Sequence, residues 1–110
     1  MRRMFFGTSS FNGDISNWNV SNVTDMYAMF QYASSFNGDI SDWNVSNVTN
    51  MENMFYQARF AGDISKWDMQ NTTYIDGMFR YNSNFLKDQP RNARNCQLKN
   101  QYLPQGNCTI

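Results

Sequence analysis

The sequence predicts an α/β solenoid in which each coil contains a short strand, a turn and a short helix. The first observation is a repeated phrase: FNGDISNWNVSNVTDM at residues 11–26 returns as FNGDISDWNVSNVTNM at residues 36–51 and as FAGDISKWDMQNTTYI at residues 60–75. A fixed period of this length is typical of stacked repeats, because each unit buries its apolar face only against its neighbours.

Local patterns within one unit supply the other two observations. The apolar residues of MYAMFQYA, which begins at Met26, lie at positions i, i+3, i+4 and i+7 and predict one face of a short helix. The alternation in ISNWNV predicts a short strand. FNGD predicts a turn, since Asn and Gly tolerate left-handed backbone. The methionine, phenylalanine and tryptophan columns are expected to form the interior.

The repeat sets the expected domain boundaries. Units begin at about residues 1, 26, 51 and 75, and the repeat solenoid is expected to cover residues 1–88. The pattern then dissolves, and residues 89–110 are expected to form an irregular C-terminal cap over the last coil. The first coil has no such cover, so copies of the chain, or neighbouring repeats, are expected to stack on it end to end.

Composition argues against several classes of function. The nine basic and nine acidic residues balance and form no concentrated basic patch, so we expect no nucleic-acid partner. No apolar stretch is long enough to predict a membrane span. The chain has no histidine, the commonest acid–base catalyst and metal ligand. We therefore expect no enzyme activity, no catalytic residue, no metal ligand and no cofactor.

The ordered columns resemble a known family. The pattern MxxMF, followed by FNGDIS, a tryptophan and SNVT, is similar to the 25-residue surface-protein repeat of the BspA-like leucine-rich class, which is also known from mycoplasma lipoproteins. The resemblance covers residues 1 to about 88. It implies a leucine-rich-repeat-like α/β solenoid on an extracellular or cell-surface protein, and it implies no catalytic residues.

Both cysteines, Cys96 and Cys108, lie in the irregular tail. Two cysteines without histidine are too few for a structural zinc site. The alternatives are two free thiols or one disulfide, and the extracellular location that the resemblance implies favours the disulfide.

N-linked glycosylation is the main candidate modification, on the condition that the source organism is eukaryotic. The acceptor pattern N-x-[ST] occurs at Asn19, Asn22, Asn44, Asn47, Asn71 and Asn107. Asn19 and Asn44 stand where the resembled family usually has Asp, and that exchange creates both patterns. Asn22 and Asn47 belong to the family phrase SNVT, so their side chains are alternatively expected to bond backbone between coils as a buried asparagine ladder.

Three repeated columns allow a functional and a structural interpretation. An aspartate column at Asp14, Asp39, Asp63 and Asp88 offers oxygen ligands for calcium, but one carboxylate per coil favours Asx turns. The threonine column has a single rank, whereas two ranks are typical of ice-binding faces. The tryptophan column would stack sugars if it were exposed, but its Ile and Val neighbours favour the core.

We therefore predict a non-catalytic extracellular structural or adhesive module that bears N-linked glycans and assembles end to end into filaments. The alternative is a surface domain that recognises a host protein or polysaccharide through the outer faces of its coils.

Overall fold

A computed structural model of the chain describes residues 1–82. Within this range no segment is helical, and β pairing is limited to isolated parallel bridges that join Asp25 to Asn50 and Asn50 to Tyr74. The predicted α/β solenoid, with its leucine-rich-repeat-like coils of strand, turn and helix, is therefore wrong. The structure measures 29 × 27 × 20 Å along its principal axes, so the body is compact rather than rod-like.

The segment expected to be a helix is a series of turns. The N–H groups of Met29, Gln31 and Ala33 each donate to the carbonyl three residues earlier, at 2.9–3.2 Å. The N–H groups between them donate to the next repeat instead, as in the bond from Phe30 N to Met54 O at 2.9 Å. Because alternate N–H groups leave the segment, the i to i−4 bonds of an α-helix cannot form.

Backbone torsions exclude the helix independently. Ala28 and Tyr32 have φ angles of 54° and 61°, in the left-handed region that a right-handed helix does not use. A positive φ at the third residue of a four-residue turn is the condition for a type II turn. The apolar spacing that predicts a helix in this segment is thus produced by consecutive turns.

The segment expected to be a strand also turns. The N–H of Trp43 donates to Ile40 O at 3.2 Å, and that of Val48 donates to Val45 O at 3.0 Å. The same bonds recur in the first and third copies. Side chains still alternate between inside and outside, because Trp43 and Val45 are buried whereas Asn44 is exposed.

Repeats lie directly against one another through backbone bonds between residues 23 to 26 positions apart. Backbone N–H groups of one copy donate to carbonyls of the next, as from Ala28 N to Glu52 O at 2.9 Å and from Asn53 N to Asp76 O at 3.0 Å. The chain therefore pairs its backbone between copies without forming long strands, and each column of the repeat aligns in space.

Two stacked rows of phenylalanine rings fill the interior. The rings of Phe30 and Phe55 lie 5.5 Å apart, and Phe30 lies 4.4 Å from Phe36 of the second row. The rows comprise Phe5, Phe30, Phe55 and Phe79 in one and Phe11, Phe36 and Phe60 in the other. Side chains of the methionine columns, including Met26, Met29, Met51, Met54 and Met78, are buried beside them. The predicted core columns are confirmed from the second copy on, whereas Met4 of the first copy is 48% exposed.

The FNGD segment differs from its predicted geometry. Gly13, Gly38 and Gly62 are absent from the residues with positive φ, so these glycines are not needed for left-handed backbone. A Cβ atom on each would instead lie within 2.5–2.9 Å of the phenylalanine ring two residues earlier. The glycine is required because the ring occupies the space of a side chain.

Candidate binding surface

Four aromatic rings form a row on the surface across the four repeats. This aromatic ladder consists of Phe6, Tyr32, Tyr56 and Tyr81. Neighbouring ring centroids are 5.4, 5.7 and 5.6 Å apart, with interplanar angles of 76°, 86° and 86°. This edge-to-face arrangement is favourable for aromatic pairs. The exposed fractions of Phe6, Tyr32 and Tyr81 are 39%, 40% and 70%, so these three rings face solvent, whereas Tyr56 is half-buried.

The turns of the backbone position these rings. Tyr32 and Tyr81 occupy positions with φ of 61° and 59°, near the end of the turn series. Phe6 and Tyr56 occupy the position of the repeat that directly precedes the one held by Tyr32 and Tyr81. Successive rings are therefore 26, 24 and 25 residues apart in the sequence. A comparison by single columns misses the ladder, because neither column carries an aromatic residue in every copy.

Two arginines mark the first end of the ladder. The guanidinium of Arg3 lies 5.2 Å from the Phe6 ring centroid, and that of Arg2 lies 4.6 Å from the Tyr27 centroid. Arg2 also donates to Asp25 Oδ2 at 2.7 Å. Burial alone would raise the pKa of Asp25, but the Arg2 bond and the Tyr27 N–H outweigh it and lower that pKa.

A polar cleft of about 400 Å³ lies on another part of the surface, between the second and third copies of FNGD. Its two carboxylates belong to Asp39 and Asp63. Asp39 Oδ1 accepts both the hydroxyl and the N–H of Ser41, at 2.6 and 3.0 Å, and these bonds lower the pKa of Asp39. A general acid needs a raised pKa, so this carboxylate does not fit that role.

The aspartate column forms the predicted Asx turns. Asp14 and Asp63 accept the N–H of Ser16 and Ser65 at 3.0 and 2.8 Å, as Asp39 does with Ser41. This structural interpretation is confirmed for the three described copies. Among residues 1–82, no three residues of the types His, Cys, Asp or Glu lie close enough together to hold a metal ion.

Asn19 and Asn44 are exposed and form Asx turns of the same kind. Their Oδ1 atoms accept the N–H groups of Ser21 and Ser46, each at 3.1 Å. Within the described part of the chain their Nδ2 atoms, to which an N-linked glycan would be attached, have no hydrogen-bond partner. Glycosylation at these two positions stays a prediction.

Asn47 and Asn71 use their side chains between repeats. Asn47 Nδ2 donates to Ser21 O at 2.7 Å, and Asn71 Nδ2 donates to Ser46 O at 2.8 Å. The predicted bond to the backbone of the neighbouring repeat is confirmed for Asn47, and Asn71 forms it too, but both side chains are exposed rather than buried. Asn22, in the first copy, is exposed. A glycan on Asn47 or Asn71 would have to share or displace the bonded nitrogen.

The tryptophan column is core, as predicted, in its second and third members. Trp43 and Trp67 are buried, and their Nε1 atoms donate to Ile15 O and Ile40 O at 3.1 and 3.0 Å. Trp18, in the first copy, is 39% exposed. Sugar stacking on this column is therefore restricted to Trp18, and the exposed aromatic row is the ladder instead.

Several predictions lie outside the described residues. Cys96, Cys108, Asn107 and Asp88 belong to residues 83–110, as does the predicted cap at 89–110. Over residues 1–82, no helix of the length and hydrophobicity of a membrane span occurs.

Comparison with known proteins places the chain in a family. Residues 1–92 match the family model described as "Mycoplasma protein of unknown function, DUF285". No curated protein and no solved structure matches the chain. Because the matched residues make up most of the chain, it belongs to the DUF285 family of mycoplasma repeat proteins of unknown function.

Proposed function

We propose that the chain is a non-catalytic adhesive module that acts at the cell surface and binds its partner along the aromatic ladder. The observation that carries this proposal is the unbroken row of Phe6, Tyr32, Tyr56 and Tyr81, in which three rings are exposed and Tyr56 is half-buried. Phe30 and Phe55 are fully buried, so the fold does accommodate aromatic rings in its core. The position of the ladder rings at the surface is therefore not explained by a lack of core positions.

Exposed aromatic rings in contact with one another favour a binding role. Tyrosine presents a large apolar body and a polar hydroxyl, and it is enriched at interfaces for that reason. The ladder extends over all four repeats, so a long partner could contact several rings at once. Contacts of this kind add affinity without requiring any one strong site.

The extracellular location rests on the resemblance of the repeat to the BspA-like surface-protein class. N-linked glycans on Asn19 and Asn44 and a disulfide between Cys96 and Cys108 belong to this proposal. The exposed amides of Asn19 and Asn44 support the first of these. The partner is a host protein or a polysaccharide.

End-to-end assembly is a second candidate function, and exposed side chains of the first repeat favour it. Met4 is 48% exposed, whereas Met29 and Met54 in the same column are fully buried. Trp18 differs from Trp43 in the same way. A different surface of a second copy, or a neighbouring repeat, would cover these residues.

Binding of the purified full chain to intact host-cell surfaces tests the adhesive function. The double variant Tyr32→Ala/Tyr56→Ala is expected to lose most of the binding, because it removes the two central rings. Tyr74→Ala is the matched control, since Tyr74 is 57% exposed and makes none of the ring contacts of the ladder. Equal binding by the wild type and the double variant would contradict the proposal.

A further inference from the structure

We infer that the aromatic ladder binds a linear, uncharged β-1,4-linked polysaccharide that runs in the direction in which the repeats stack. This inference rests on the proposed adhesive function and specifies the ligand of the same surface. Each pyranose unit would place its C–H face on, or its edge beside, one ring of the ladder.

The spacing of the rings favours a sugar chain. Successive centroids are 5.4–5.7 Å apart, which is close to the length of one pyranose unit in an extended chain. One sugar per ring therefore stays in register over the whole ladder. Two residues of an extended peptide advance about 6.8 Å. A peptide would thus drift by roughly one residue over the three steps between the rings.

The constant spacing of the rings also favours the β-1,4 linkage. The three centroid distances along the ladder are 5.4, 5.7 and 5.6 Å. A β-1,4-linked chain is extended, so its units also advance by a constant step in one direction. An α-1,4-linked chain curls and loses this match.

Polar groups next to the rings suit sugar hydroxyls. Gln31 directly precedes Tyr32 in the sequence, and Gln57 directly follows Tyr56. The side chain of Gln57 is exposed. Amides and phenol hydroxyls both donate and accept hydrogen bonds, as sugar hydroxyls do. Arg3 lies 5.2 Å from the Phe6 ring centroid, and Arg80 precedes Tyr81 in the sequence, at the two ends of the ladder. The residues on either side of Tyr32 and Tyr56 in the sequence are uncharged, which does not favour a charged polysaccharide along the ladder.

Titration of the full chain with cello- and chito-oligosaccharides of two, four and six units tests the inference by calorimetry. Affinity is expected to rise from two to four units, because four rings are available. Tyr56→Ala is expected to weaken binding of the four-unit oligosaccharide by about tenfold, the upper value for one aromatic contact. Tyr56→Phe keeps the ring and is expected to bind within a few-fold of the wild type. Tyr74→Ala is expected to bind as the wild type does.

Thermal unfolding of each variant separates loss of the ladder from loss of the fold. The inference is overturned if Tyr56→Ala keeps its fold and its sugar affinity, or if an α-1,4-linked maltohexaose binds equally well. It is also overturned if no oligosaccharide binds while a proline-rich peptide binds in a ladder-dependent way. That last result would leave the proposed adhesive function standing, whereas ladder-independent binding to cell surfaces would contradict the role that the proposed function gives to the ladder.

Discussion

The ring of Phe36 lies against the backbone of Gly38, so closely that a Cβ atom on Gly38 would be 2.8 Å from Phe36 Cε1. Phe11 with Gly13 and Phe60 with Gly62 repeat this relationship, at 2.9 and 2.5 Å from the nearest ring atom. The FxG spacing in the sequence is therefore a packing requirement of the row formed by Phe11, Phe36 and Phe60.

Gly38→Ala is expected to destabilise the fold by about 1–3 kcal/mol, because the added methyl group overpacks a filled core. Chemical denaturation of the purified chain measures this difference. In the background of Phe36→Ala the ring is gone, and Gly38→Ala is then expected to cost little more. An equal cost in both backgrounds would show that the contact with Phe36 is not the cause.

The sequence predicts the columns of this fold well and its backbone badly. Met29 and Phe30 are buried as expected, because burial follows the repeat whatever local structure produces it. The helix fails because Ala28 and Tyr32 adopt positive φ, which neither residue type signals. Hydrogen bonds between repeats, such as that from Tyr32 N to Tyr56 O at 2.9 Å, replace the hydrogen bonds within the segment that its helix propensity predicts.

The aromatic ladder illustrates the same limit for the candidate site. Tyr32 and Tyr56 are neighbours in space but stand at adjacent positions of their repeats, 24 residues apart. Only the turn geometry brings such positions together on one line. A search for aromatic residues at 24, 25 and 26 residues, rather than at one fixed period, would have found the row.

Trp43→Ala is expected to lower the free energy of unfolding by about 3–5 kcal/mol, since it removes a buried ring. It also leaves Ile15 O without the bond from Trp43 Nε1 at 3.1 Å. Trp18→Ala is the matched control, because Trp18 occupies the same column but is 39% exposed, and it is expected to cost clearly less. Equal shifts in thermal unfolding for the two variants would argue against a buried tryptophan column.

Acid is expected to destabilise the chain through its Asx turns. Asp14 accepts hydrogen bonds from the hydroxyl and the N–H of Ser16, and Asp39 accepts the same pair from Ser41. These bonds, the hydroxyl bond more than the N–H bond, lower the pKa values of Asp14 and Asp39 below their unfolded values. A lowered folded pKa stabilises the fold above the unfolded pKa of about 4, and this contribution is lost as the pH falls through the folded pKa. The melting temperature should therefore decrease below about pH 4.

The double variant Asp14→Asn/Asp39→Asn is expected to lose less stability in acid. Asn19 and Asn44 show that an amide oxygen accepts the same pair of serine bonds, so the turns persist without a titrating group. Thermal unfolding of both proteins between pH 7 and pH 3 compares them. Parallel curves for the two proteins would show that these turns do not carry the acid response.

Concentration-dependent self-association is expected through the exposed side of the first repeat, where Met4 is 48% exposed. If a second copy covers this side with a different surface, the contact is heterologous, and such contacts give fibres when they do not close into a ring. If two first repeats face each other instead, assembly ends at a dimer. Light scattering over a range of concentrations detects both kinds of assembly, and electron microscopy tells fibres from dimers.

Met4→Lys is expected to keep the chain monomeric, because association would bury a charge without a partner. Tyr74→Lys is the control, since it alters an exposed residue elsewhere, and it should associate as the wild type does. If the wild-type chain stays monomeric at high concentration, the exposed residues of the first repeat do not serve assembly.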